Sequence, residues 1–139
     1  VRIEPFRRQH VETLMRQSAM AWLQQHRIDY GCLEGPMSFS VFDRSGAVQA
    51  CLGLIEHWAG RAEAWAMLGA ASRPVMPAMH KAVLQFLDKS PFQRIDAAVP
   101  ADFDAAHRWV RMLGFECEAP LMRGYLPGGK DAALYARTK

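Results

Sequence analysis

RIDAAVPADFDAAHRWVRMLGF, residues 94–115, carries more of the fold than any other stretch of this chain. Ile95, Ala97 and Val99 alternate as in a short buried strand, and Pro100 stops it. Asp102 and Asp104 enrich the start of a helix in acid. Phe103, Ala106, Val110 and Leu113 then share one stripe of an amphipathic helix. Leu113-Gly114-Phe115 closes the unit: Gly114 suits the left-handed position after a helix, and Phe115 opens another strand.

Upstream of this unit, Gly69-Ala70-Ala71-Ser72 leads into a helix expected to run to about Asp88, with Ser72 as its N-cap. Its inner stripe is Met79, Ala82, Val83, Phe86 and Leu87, and Lys89-Ser90-Pro91 ends it. Before it come three strands joined by tight turns. Ser38–Phe42 alternates, Asp43-Arg44-Ser45-Gly46 is a hairpin turn, and Ala47 to about Trp58 is a long apolar strand containing Gly53. Ala59-Gly60-Arg61 turns again into Glu63–Leu68, where Trp65 and Met67 alternate.

At the N-terminus, Val1–Phe6 reads as a strand in which Val1, Ile3 and Pro5 alternate against Arg2 and Glu4. From Arg7 to about Arg27 the pattern is helical, with Val11, Leu14, Met15, Ala19, Trp22 and Leu23 inward and a break near Ser18–Met20. Two last strands, Phe115–Leu126 and Ala132–Arg137, flank a Pro127-Gly128-Gly129-Lys130 turn. The order β-α-α-β-β-β-α-β-α-β-β predicts one domain over 1–139. It is an α/β (α+β) fold with a mixed, mostly antiparallel twisted sheet of six to seven strands and helices on both faces.

Half of the 139 residues are apolar and 22% are charged, as in ordinary globular proteins. The net charge of +3 is spread without a cationic run, which argues against nucleic-acid or membrane-surface partners and suits an acidic small ligand. Cys32, Cys51 and Cys117 show neither disulfide nor metal-ligand spacing. Reduced thiols in the cytoplasm are expected, with Cys51 and Cys117 as small core residues. There is no signal-peptide pattern and no apolar run of about 18 residues. The sequence opens on Val1 rather than Met, so a few residues are expected ahead of the first strand.

The element order resembles the GNAT acyltransferases across nearly the whole chain. The meander around Leu52-Gly53-Leu54, the strand–loop–helix of Leu68–Leu87, and Ala106 through Leu113-Gly114-Phe115 carry the resemblance. The closing helix and short C-terminal hairpin are also similar to phage-encoded GNAT-like proteins, including virion components. The family resemblance implies transfer of an acetyl group from acetyl-CoA to a small-molecule or protein amine, and it admits a homodimer.

In that family a Gln/Arg-x-x-Gly-x-Gly/Ala loop presents backbone N–H groups and a helix dipole to the cofactor pyrophosphate. The matching residues here are Arg73-Pro74-Val75-Met76-Pro77-Ala78. Arg73 and Ala78 fit the ends, Met76 takes the glycine position, and Pro74 and Pro77 carry no N–H. Two readings follow: a modified phosphate site helped by Arg73, His80 or Lys81, or a proline-capped structural helix. Met67, Leu68 and Gly69 match the strand backbone that meets the pantetheine arm, and Gly69 and Ala70 would permit close approach.

The resemblance places the general base on the third or fourth strand, where Glu63 and Glu56 are the carboxylates and His57 is a third candidate. The family's tyrosine acid has no counterpart, because Val110 stands there. His107 lies a helical turn away, and Tyr125 and Tyr135 match no position. These departures support an alternative from another class, a catalytically silent GNAT-like binding or assembly protein. The Met20–Pro36 region, with Trp22, Asp29, Tyr30 and Glu34, would shape the acceptor pocket.

Overall fold

The Leu113-Gly114-Phe115 signature folds as the sequence dictates. Gly114 adopts φ +90, its N–H donates to Arg111 C=O at 3.0 Å, and Phe115 N–H donates to Val110 C=O at 3.0 Å. That pair of bonds is the Schellman closure, which satisfies two orphan carbonyls of the helix end.

The computed structural model describes residues 1–15, 29–69 and 71–139. Along the chain lie β1 (Arg2–Pro5), α1 (Arg8–Met15), β2 (Ser38–Phe42), β3 (Val48–Trp58) and β4 (Arg61–Leu68). There follow α2 (Met76–Lys89), β5 (Arg94–Pro100), α3 (Asp104–Met112), β6 (Glu116–Leu126) and β7 (Lys130–Thr138). The seven strands form one sheet in the order β1-β2-β3-β4-β5-β7-β6. β4 and β5 run parallel, and β1–β2, β2–β3, β5–β7 and β6–β7 are antiparallel. The second half of the expected N-terminal helix, with its break and Ala19, Trp22 and Leu23, lies outside the described residues, as does Ala70. No helix among the described residues is long and apolar enough to cross a membrane.

The chain divides into two compact units, 1–55 with 65–83 and 56–64 with 84–139. The first is built on Phe6, Val11, Leu14, Phe42, Val48, Cys51 and Met67, with Tyr30, Leu33 and Trp65 packed against them. The alternation expected in β1 does not bury its apolar side. Val1 and Ile3 are exposed, and the ring that enters the core is Phe6, one residue past the strand, where its N–H donates to Ser38 C=O. β1 is an edge strand, so β2 alone supports it. In β2 both Val41 and Phe42 are buried because the register with β3 shifts between them and breaks the period of two. Gly53 is required by close approach: a Cβ there would lie 2.7 Å from Met37 O. The β2–β3 turn is held by Asp43, whose Oδ1 accepts from Ser45 N, Ser45 Oγ and Ala47 N, while Oδ2 accepts from Gln49 Nε2. Those donors, the Ser45 and Gln49 side chains first, hold its carboxyl down at about 2.

In the second unit Ile95, Ala97 and Val99 are buried as their alternation predicts. Asp96, between them, is buried as well, and its Oδ2 accepts from Arg61 Nε at 3.0 Å and Arg94 Nε at 3.1 Å. Arg94 continues to Glu118 in a two-pronged pair at 2.7 and 3.1 Å. This pairing raises the Arg94 pKa and lowers that of Glu118. On α3, Trp109 and Val110 are buried, as is Leu113 at its C-cap. The helix starts without a side-chain cap, since Phe103 takes that position and Asp102 pairs instead with Lys130. Asp104 still favours the positive helix end. Cys117 is exposed, against expectation, because β6 is the outer strand and most of its residues face solvent.

Candidate functional site

Each unit carries one group of the sequence-derived candidates. In the second unit the two-residue Ala59-Gly60 turn folds β3 back onto β4 and brings His57 Nε2 within 3.0 Å of Glu63 Oε1. Both side chains are about one-third exposed, at 36% and 35%. A carboxylate only accepts, so Nε2 carries the hydrogen; in the neutral imidazole Nδ1 is then left with its lone pair. A ring held by a carboxylate through one nitrogen and basic at the other is an arrangement suited to taking a proton. Next to it, the exposed Trp58 lies under the Arg61 guanidinium at 4.7 Å. Glu56 is exposed and has no hydrogen-bond or ion-pair partner among the described residues. The sequence set His57 beside Glu56. Its partner is Glu63, six residues on, and the Ala59-Gly60 turn was the signal for that pairing.

Other polar clusters were missed. His107 Nε2 donates to Pro100 C=O at 3.0 Å and lies 3.2 Å from Ala101 C=O, so Nδ1 accepts from Tyr135 Oη at 2.7 Å. Tyr135 is 1% exposed, and its phenol ties α3 to β7 rather than facing a substrate. In the first unit His10 Nδ1 accepts from Arg7 N at 3.2 Å and from Ser40 Oγ at 2.7 Å, and Cys51 Sγ sits 3.6 Å from Ser40 Oγ. Ser40 and Cys51 are fully buried, and burial pushes the Cys51 thiol up to about 11, which leaves it without thiolate reactivity. Burial also lowers His10, reinforced by Arg7 and opposed by Glu4 and Glu34. Among the described residues, the buried side-chain atoms Tyr30 Oη, Gln49 Oε1 and Trp65 Nε1 have no hydrogen-bond partner.

The residues matched to the cofactor all fall in the first unit. Arg73–Val75 form a 3-10 turn that passes into α2 at Met76. Ser72 stands at the N-cap without a side-chain cap bond. Ser72 N–H donates to Gly69 C=O, Val75 N–H to Ser72 C=O, and Met76 N–H to Arg73 C=O. Pro74 and Pro77 have no N–H to give. From Ser72 to Ala78, therefore, at most Arg73 and Ala78 keep a backbone donor for an anion. Met76 is a half-buried helical residue, and Arg73 and Ala78 are exposed. A pyrophosphate needs convergent N–H groups, and two donors five positions apart do not form such a nest. The backbone here does not fit the pyrophosphate of acetyl-CoA.

Gly69 is glycine for an internal reason. It is buried, and a Cβ there would lie 2.9 Å from Leu14 Cδ1 and 3.1 Å from Gln49 O. Its N–H donates to Gln49 C=O at 2.8 Å, so it is not offered to a ligand. Strand residues alternate the edge to which their backbone points, so Met67 shares that edge and Ala66 and Leu68 point the other way. Met67 is buried and Leu68 half-buried.

No protein-family model and no curated protein matches this chain. Solved structures do. The ribosomal-protein-S18-alanine N-acetyltransferase of Escherichia coli aligns with a TM-score of 0.73 at 16% identity, over 99% of this chain and 92% of that one. A GNAT-family acetyltransferase of Bacillus anthracis aligns at 0.69 and 13% identity, over 98% and 93%. A GNAT phosphinothricin acetyltransferase of Sinorhizobium meliloti, solved with acetyl-CoA, aligns at 0.58 and 19%, over 73% and 60%. The chain has the GNAT acetyltransferase fold.

Proposed function

We propose that this chain is an N-acyltransferase that moves an acetyl group from a thioester to an amine, with His57 and Glu63 as its proton-handling couple. The observation that carries this reading is the 3.0 Å contact between His57 Nε2 and Glu63 Oε1 on a solvent-accessible hairpin. An aliphatic amine reaches the enzyme as ammonium and must lose a proton before it can attack. His57 Nδ1 takes that proton, while Glu63 fixes the ring and stabilises the imidazolium that forms. Glu56, exposed beside His57, adds negative charge where a cationic acceptor would approach. In this reading Arg73 and Lys81 supply whatever charge a donor phosphate meets, because the backbone of 72–78 does not. Three unpaired cysteines suit the reducing cytoplasm.

The test is transfer from acetyl-CoA to a panel of amines, read by mass: a peptide beginning with alanine, phosphinothricin and spermidine. Wild type should acetylate at least one of them, and His57→Ala should lose roughly 10²–10³-fold in kcat/KM. Equal rates in the two proteins would remove the couple from the account.

A second reading is favoured by the same depleted helix start and by Val110 where the family has its phenol. It is a GNAT-shaped binding or assembly protein that transfers nothing, with a virion component as one form. Bound donor with no transfer to any amine in the panel would support it.

A further inference from the structure

Two arginines share one buried carboxylate in the second unit, and their guanidinium forks differ. Arg61 and Arg94 are register partners on β4 and β5, and each donates through Nε to Asp96 Oδ2, at 3.0 and 3.1 Å. Asp96 is 4% exposed. Arg94 is completed by Glu118, whose Oε1 and Oε2 accept from Nη2 and Nη1 at 2.7 and 3.1 Å. Among the described residues, no acceptor meets Nη1 or Nη2 of Arg61. Arg61 therefore keeps the edge that Arg94 gives to a carboxylate, and its side chain is 29% exposed.

That edge is held in place. The Nε bond to Asp96 anchors the guanidinium, and the indole of Trp58 lies 4.7 Å from its Cζ. A planar fork fixed in this way loses little freedom when a planar anion docks on it. The same indole is 6.3 Å from the ring of His57, whose Nε2 is engaged by Glu63. Donor edge and proton-accepting ring thus border one exposed indole, within reach of a molecule a few carbons long.

The inference rests on the acyltransferase reading above and names its acceptor. We propose that the acceptor is a short amino acid, its carboxylate docked on Nη1 and Nη2 of Arg61 and its ammonium at His57. Two parallel N–H···O bonds hold the carboxylate, as they hold Glu118 on Arg94. Glu56 and Glu63 favour the ammonium end and oppose a second negative charge, so a carboxylate suits the place better than a phosphate.

The reaction balances on these groups. One ammonium proton passes to His57 Nδ1 and on to water. The nitrogen lone pair then forms the C–N bond at the acyl carbon, the thioester C–S bond breaks, and its electron pair leaves on sulfur. The second nitrogen proton follows to that sulfur.

The first test is made on the intact chain with acetyl-CoA as donor. β-Alanine, γ-aminobutyrate and δ-aminovalerate are each compared with the matching carboxamide, pairs in which the far end changes the basicity of the nitrogen little. At least one acid should exceed its amide by about tenfold or more in kcat/KM, and Arg61→Gln should bring that ratio to about one. Arg61→Lys keeps a cation for Asp96 without the fork, which guards against a folding defect, and it too should lose most of the preference. Transfer at equal rates to acid and amide in wild type, or a ratio that survives either substitution, would overturn the inference and leave the acyltransferase reading in place.

The second test needs no turnover. In the isotopically labelled chain the acids should shift the Arg61 Nε–H and Trp58 Nε1–H resonances, and the amides should not. Those shifts without transfer to any amine would keep the carboxylate dock and remove the acyltransferase reading. No shift with any of the acids would overturn the dock.

Discussion

His10 and His57 each hold a hydrogen bond through one ring nitrogen, yet their surroundings differ in the two respects that decide chemistry. His10 accepts at Nδ1 from Ser40 and from Arg7, with the rings of Phe6 and Phe42 edge-on to it. Its partners are neutral donors, its basic nitrogen is already occupied, and Ser40 and Cys51 behind it are sealed from solvent. His57 donates to a carboxylate, keeps its other nitrogen for a proton, and sits about one-third exposed on a hairpin. A hydrogen-bonded imidazole is therefore no sign of catalysis by itself. The charge of the partner, and which nitrogen it leaves open, separate a histidine spent on structure from one able to take up a proton.

The largest effect that would break this comparison lies at His57. His57→Ala should cost roughly 10²–10³-fold in kcat/KM for an aliphatic amine and change the unfolding free energy by less than about 0.5 kcal/mol. The mirror-image experiment is Ser40→Ala. Removing the donor to His10 should cost about 1–3 kcal/mol in chemical denaturation and leave the specific activity of the folded fraction unchanged. An activity loss in the serine variant without a loss of stability would erase the distinction.

Tyr135→Phe is expected to be milder. It leaves His107 Nδ1 without its donor at a half-buried site, for about 1 kcal/mol, again without effect on rate.

The pH dependence of stability sharpens the comparison further. His10 has its pKa lowered by burial, so the folded chain binds fewer protons than the unfolded one. The stability this represents is present above the ordinary value of 6.5 and is lost as pH falls below it towards the folded value. Melts from pH 7.5 to 5 should show the loss in wild type and less of it in His10→Gln. Asp43 acts lower on the scale. Its folded value of about 2 lies under the ordinary 3.8, so its contribution is held above pH 3.8 and disappears as pH falls through about 2. Asp43→Asn should converge on wild type over that range, and a constant gap between the two melting curves would contradict the turn assignment.

Most of the fold was legible because its signals are local. The Arg94–Phe115 unit, both hairpin turns and the Met79–Leu87 stripe each rest on spacing within a few residues. β1 failed for a tertiary reason, since an edge strand buries nothing unless a helix covers it. Cys117 failed likewise, because β6 is the outer strand of the sheet. The site was less legible. Glu63 was visible as a carboxylate, and His57 became its partner only once the Ala59-Gly60 turn closed. The contact of His10 with Ser40 spans 30 residues and that of His107 with Tyr135 spans 28, and no pattern in the sequence joins them. The missing donors at 72–78 were half legible: the prolines are written in the sequence, whereas the inward bonds of Ser72, Val75 and Met76 are not. Gly69 was misread as room for a ligand, because a glycine looks the same whether a ligand or Leu14 needs the space.

The base assignment is tested most directly by chemical rescue of His57→Ala. The measurement is kcat/KM for acetyl transfer to an aliphatic amine with added imidazole, beside the same measurement for an amine that is already neutral at the assay pH. Imidazole should restore much of the lost rate for the first amine, whereas the second should lose little on substitution and gain nothing from imidazole. Equal losses for both amines with no rescue for either would contradict that assignment.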